Sequence, residues 1–206
     1  MVIPRCPPLA PPPLAVPVLS PEQRRKLDES SDALFYAQPR FVQHLDEAFR
    51  QRLTALYRER LIPGTTVLDL MSSWVSHLPH DLSLQAVIGH GMNAAELEAN
   101  PCLSRHWVQN LNEDQTLPLE PSSVDAALIV AFSNRMFATK APQAWLEGSD
   151  RDRLSGVAKV LLCQGWELDQ LLSEDTTAAG PLGWIGGKGD PFFAVIARKP
   201  AGRGHG

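Results

Sequence analysis

The stretch Thr65–Pro79, TTVLDLMSSWVSHLP, decides how this chain is read. Its first half is a short run of β-branched and aliphatic residues ending in an acid, Asp69, the pattern of a buried strand. Open α/β sheets collect their ligands just beyond the carboxyl ends of such strands. The turn that follows is usually glycine-rich, because a backbone approaching a ligand closely does best without a Cβ. Here no glycine stands between Asp69 and Pro79. The place for a site is present, and the usual composition of its turn is not.

Outward from this stretch, strands and helices alternate. Upstream, PRFVQHLDEAFRQRLTALYRERLIPG predicts one long amphipathic helix. Pro39 suits its first turn, Phe41, Leu45, Phe49, Leu53 and Leu56 recur at steps of three or four, and Pro63-Gly64 stops it. Downstream, LQAVIGHG reads as a second strand and MNAAELEANP as a short helix, with Asn93 as N-cap and Glu96 in capping-box register. WVQNLN reads as a third strand and the apolar SVDAALIVAF as a fourth, buried on both faces. A helical region from Ala141 to about Gln164 follows, then GWELDQLL, a glycine-rich connection and the strong strand PFFAVIARK. This alternation predicts an α/β fold with a mostly parallel sheet flanked by helices.

Bulk composition narrows the function. With 206 residues, 44% of them hydrophobic, the chain has material for one globular domain with a core. Its net charge of −4 gives none of the broad positive field that holds phosphate backbones, so no nucleic-acid partner is expected. No apolar run approaches the roughly 20 residues that span a bilayer, so no membrane partner is expected either. Cys6, Cys102 and Cys163 are scattered, which suits a reducing, cytoplasmic setting. His77 and His80 flank a proline without a second ligand pair, so no metal is expected. Residues 1–21 form a proline-rich arm expected to be extended and loose, residues 22–199 the α/β domain, and residues 200–206 a loose tail.

The order of segments resembles the class I S-adenosylmethionine-dependent methyltransferases. It looks closest to the methyltransferase type 11-like proteins of cyanobacteria and plastids, through VLDLMSSWVSHLP, GHGMN followed by EL, and FSNRMF. The resemblance covers about Tyr36 to Lys199 and implies a Rossmann-like fold with a C-terminal antiparallel strand. It implies S-adenosylmethionine as cofactor and a small molecule as methyl acceptor. Asp69 matches the family's acid after the first strand, while its glycine positions fall on Met71, Ser73 and Val75. Valine is a stiff substitute. A different turn is expected, with Ser72 and Ser73 capping a following helix and offering hydroxyls to a carboxylate. After the second strand, the family's ribose-binding acid falls on Gly91, leaving Gly89, His90, Met92 and Asn93 as neighbours of the cofactor. Asn112, Glu113 or Asp114 would lie near the adenine. Ser133, Asn134 and Arg135 would face the substrate, with Arg135 available to an anionic group. Trp74 and Trp145 suit either ring stacking on a ligand or core packing.

One departure is large. Between the family's fourth and fifth strands lies a parallel crossover of about 30 residues. Here five residues separate Ala127 from Ser133, so the two strands are expected to be fused and one sheet face to lose its covering helix. A shortened lineage and an internally deleted gene both give this pattern. Two functions follow: methyl transfer to a small molecule, or a catalytically inactive methyltransferase-fold protein acting as a binding or regulatory partner. In the second, the proline-rich arm or the uncovered sheet face would contact another protein.

Overall fold

The computed structural model describes residues 18–124, 127–176 and 189–200. Most of the proline-rich arm, most of the tail, Asp125 and most of the glycine-rich connection lie outside the described residues. In chain order the elements are α1 (Pro21–Arg24), α2 (Asp32–Phe35), α3 (Glu47–Arg60), β1 (Thr66–Asp69), β2 (Ala86–Gly91), α4 (Ala94–Glu98) and β3 (Arg105–Val108). There follow β4 (Ala127–Phe132), α5 (Gln143–Glu147), α6 (Asp150–Cys163), β5 (Glu167–Glu174) and β6 (Phe192–Arg198).

The strands form two sheets rather than one. β1, β2 and β3 pair in parallel and in consecutive order, with Asp69 opposite Gly89 and Gly91 opposite Val108. β4 and β5 both pair antiparallel with β6, which lies between them. The expectation of a single, mostly parallel sheet is therefore corrected. β4 pairs along all six of its residues with β6 and not with β1, and no described strand joins the two sheets. The third strand also begins earlier than the sequence suggests, at Arg105.

β6 is central because its side chains are apolar on both faces, which the alternation of a strand delivers to opposite sides. Phe192, Ala194 and Ile196 pack on Phe49, Leu53 and Leu56 of α3. Val195 and Ala197 pack on Ala158 and Leu161 of α6. Helices thus cover both faces of the antiparallel sheet, so the uncovered face expected from the deletion does not occur there. Strands β1 and β4 are among the four terminal strands of the two sheets, with β3 and β5.

Two helices differ from their sequence pattern. α3 starts at Glu47, not near Pro39, because Asp46 caps it by accepting from the Phe49 amide at 2.8 Å. Asp46 is fixed there by a reciprocal pair with Asp190, whose carboxylate accepts from the Asp46 amide at 2.8 Å and whose amide donates to Asp46 at 2.6 Å. The region from Ala141 divides at Gly148 into α5 and α6, and a complete capping box between Ser149 and Asp152 starts the second. Among the described residues, no helix is long and apolar enough to cross a membrane.

Candidate functional site

The turn after β1 is built from side-chain hydroxyls and one left-handed residue. Met71 has φ +57°, a conformation that costs a residue with a Cβ and that glycine adopts freely. The Asp69 carboxylate accepts from the hydroxyls of Ser72, at 2.7 Å, and Ser76. Asn100 donates to the Ser73 carbonyl at 2.9 Å and to the Ser76 hydroxyl at 3.0 Å. The two serines were expected to cap a helix; residues 70–85 contain none, and Ser72 bonds back to the acid instead. Pro79 and the absence of an apolar helical stripe leave that segment irregular, tied to α3 by the Thr54 hydroxyl donating to the His77 carbonyl at 2.8 Å.

His90 locks this turn to β2. It is buried, and its Nδ1 accepts from the Met71 amide at 3.3 Å while Nε2 pairs with the Gln109 carbonyl at 3.0 Å. The Nε2 contact requires its proton there, leaving Nδ1 as the acceptor. The His90 carbonyl takes the Ser72 amide at 2.7 Å. The same approach explains Gly91: a Cβ there would lie 2.5 Å from the Ser72 carbonyl oxygen. Gly89 is pressed against Leu103 in a similar way, and Met92 is half-buried beside them. Nearby, burial, and secondarily the Asp69 charge, pushes the Tyr57 phenol above its ordinary range and raises the Cys102 thiol.

After β2, only half of the expected capping box forms. Asn93 accepts from the Glu96 amide at 3.2 Å, but the Glu96 side chain does not return to the cap. Its buried carboxylate accepts from the Ser73 hydroxyl at 2.5 Å and from the Arg40 amide at 2.7 Å. A carboxylate therefore does stand beyond β2, supplied by α4 rather than by position 91. Sequence reading took Glu96 for a cap and overlooked Asn100. Nothing local distinguished this role of Glu96 from a cap, and nothing local pointed to Asn100.

The residues after β3 and β4 are held elsewhere. Asn112 is exposed and donates to Asp32 at 2.8 Å. Ser133 is buried and its hydroxyl accepts from the Arg135 amide at 3.1 Å; Asn134 is exposed. Arg135 pairs through Nε with the buried carboxylate of Asp190, the residue that also holds the start of α3. It braces the junction of β6 and α3. Trp145 packs edge-on against Phe132, with ring centres 5.2 Å apart, and Trp74 donates to the Val42 carbonyl at 3.2 Å.

These positions share a cover. The segment from Arg24 to Asp46 runs as a strap that bonds to the residues following β2, β3 and β4. Its Asp32 takes Asn112, its Tyr36 and Ala37 carbonyls take the Asn93 amide group at 2.9 and 3.2 Å, and its Arg40 amide takes Glu96. Arg40 also stacks over Phe35, with Phe137 beyond. An open pocket of about 360 Å3 lies between the strap, from Arg24 to Asp32, and the Asn110–Glu113 loop. A second, of about 450 Å3, lies between α1 and α5. Neither of these two pockets is lined by Asp69, Ser73, His90 or Asn93. No protein-family model matches the chain, and no curated protein matches it.

Proposed function

We propose that this chain is an S-adenosylmethionine-binding protein of methyltransferase type whose nucleoside site lies under the strap, acting on a small molecule. One observation carries the reading. Of the polar groups following three successive parallel strands, Asn93, Glu96 and Asn112 bond to the strap, and Ser73 joins them through Glu96. Three parallel strands in the order β1-β2-β3 support the reading, since one half of a doubly wound sheet has this strand order and binds ligands at its carboxyl edge, although the helix between its first two strands is missing here.

The residues fit the cofactor's nucleoside half. Glu96 is a buried carboxylate with two acceptor oxygens for ribose hydroxyls, and Asn93 and Asn112 offer amides on the adenine side. The methionine half meets a turn whose Met71 and Ser72 amides bond to His90 and whose Ser72 and Ser73 hydroxyls bond to Asp69 and Glu96, so it would have to exchange places with some of these bonds. When bound, the cofactor supplies an electrophilic methyl on a sulfonium. The chain's own task would then be alignment and exclusion of water, which needs no general base.

A thermal melt tests this. S-adenosylmethionine at about 100 times its dissociation constant adds about 2.7 kcal/mol to stability and raises the melting temperature. Glu96→Gln, which keeps shape and loses the charge, should remove most of that shift. A melting curve unmoved by millimolar cofactor would overturn the reading.

A second reading, a non-catalytic partner protein, is favoured by two of the terminal strands. β1 and β4 each end a three-stranded sheet, and a terminal strand can take up an added strand from another chain. Co-purification of a partner that protects β4 amides from exchange would support it over catalysis.

A further inference from the structure

We infer that the strap is an autoinhibitory lid that opens as a unit, latched by Lys140 and competing with the nucleoside for Asn93. What the lid covers rests on the reading above; that it opens separately does not. No residue from Arg24 to Asp46 is fully buried, and Leu27, Leu34, Phe41 and Val42 are exposed. The one helix that lies wholly within it, α2, has four residues, too few to persist alone. Segments held by few buried apolar contacts open at much lower free energy than the core.

The strap is fastened instead by polar bonds, and Lys140 is their centre. Its buried ammonium donates to the Ser30 carbonyl at 2.6 Å and hydroxyl at 3.0 Å, and pairs with Asp28 at 3.0 Å. Around it the Asp28 amide reaches the Thr139 carbonyl and the Gln143 amide reaches the Arg25 carbonyl, each at 2.8 Å. On opening, all these groups regain water, so the latch holds the strap without making release prohibitive. The far end is anchored where Asp46 joins α3, which makes that residue the hinge.

Closed, the strap imitates a ligand. The Arg40 amide takes the Glu96 oxygen not used by Ser73, and the Tyr36 and Ala37 carbonyls occupy the Asn93 amide group. Both protons of the Asn93 amide group are given to strap carbonyls, so a nucleoside that takes a hydrogen bond from Asn93 must displace the strap, and the two exclude each other.

Hydrogen exchange followed by mass spectrometry on the full chain tests this. Strap amides should exchange about tenfold or more faster than β6 amides, and Lys140→Met should speed them about tenfold again while β6 is unchanged. If Lys140→Met fails to fold, Asp28→Asn, at a half-exposed position, should produce a smaller acceleration confined to the strap. Exchange of strap and β6 in one cooperative step, or strap exchange unmoved by the latch variants, would overturn the lid. Excess S-adenosylmethionine should speed exchange at Tyr36 to Arg40. Should the latch variants free the strap while the cofactor changes neither exchange nor melting, the lid stands and the methyl-donor reading falls. Cofactor-dependent melting with slower exchange at Arg40 would mean that strap and ligand bind together, and would overturn the competition.

Discussion

In the antiparallel sheet, six consecutive residues of β6 are buried between α3 and α6, each of 14 residues. In the parallel sheet, β1 is half-buried along its whole length and leaves into sixteen residues without a helix, held by Asp69, Ser72, Ser76 and Asn100. The first region is held by apolar contact on two faces, the second largely by hydrogen bonds among neighbouring polar side chains. Apolar burial is non-directional and tolerates small shifts, whereas a buried polar network depends on every member being satisfied. The chain thus keeps its stability in one half and its chemical groups in the other.

The largest effect that would break this division is Phe192→Ala. The ring is fully buried and packs on Phe49 with centres 4.9 Å apart. Its removal should cost about 3–5 kcal/mol by denaturant unfolding, most of the stability of a typical domain. A loss under about 1 kcal/mol would mean that α3 and β6 do not form the principal core.

Gly91→Ala should have the next largest effect, and it sharpens the contrast because it acts through the polar half. The new methyl would lie 2.5 Å from the Ser72 carbonyl and 3.0 Å from Leu97, so the turn after β1 must move away from β2. A cost of about 1–3 kcal/mol is expected, with weakened His90 contacts to the turn. Exchange at the Met71 and Ser72 amides should accelerate while β6 stays protected. Uniform acceleration would show that the two sheets unfold together and that the division is one of composition only.

How much of this could be read from the sequence follows the same line. β6, β2 and the Asn93 cap were legible because apolar runs and local caps are short-range signals. The start of α3 was not: the apolar spacing through Phe41 and Leu45 continues helical phase into the strap, and what ends it is Asp190, 144 residues from Asp46. Asp69 could be placed as the acid after the first strand, but its partners could not, since Asn100 reaches the turn from beyond α4. Glu96 was misread because a capping box and a carboxylate aimed away from the cap have the same sequence. The split into two sheets was half legible: the missing crossover was evident around Ala127, yet the covering of both faces by α3 and α6 depends on long-range packing.

The smallest effect concerns the one place where an ion pair edges the apolar half. Arg52 of α3 donates to Glu174 of β5 through two nitrogens, at 2.7 and 2.9 Å, and its guanidinium lies 5.1 Å from the centre of the Phe192 ring. The Arg52 hydrogen bonds hold the Glu174 carboxyl below its ordinary value of 4.5. A carboxyl with a depressed folded pKa adds stability above its unfolded pKa and loses it as pH falls through the folded one. The pair is partly exposed, so Glu174→Gln should cost only about 0.5–1 kcal/mol near neutral pH. That difference should shrink as pH falls below the ordinary 4.5 and on through the lowered value of the native carboxyl. Denaturant unfolding of both proteins across this range measures it. A difference that persists in acid would assign the effect to packing of Arg52 on Phe192, and the edge would then belong to the apolar half like the rest of that sheet.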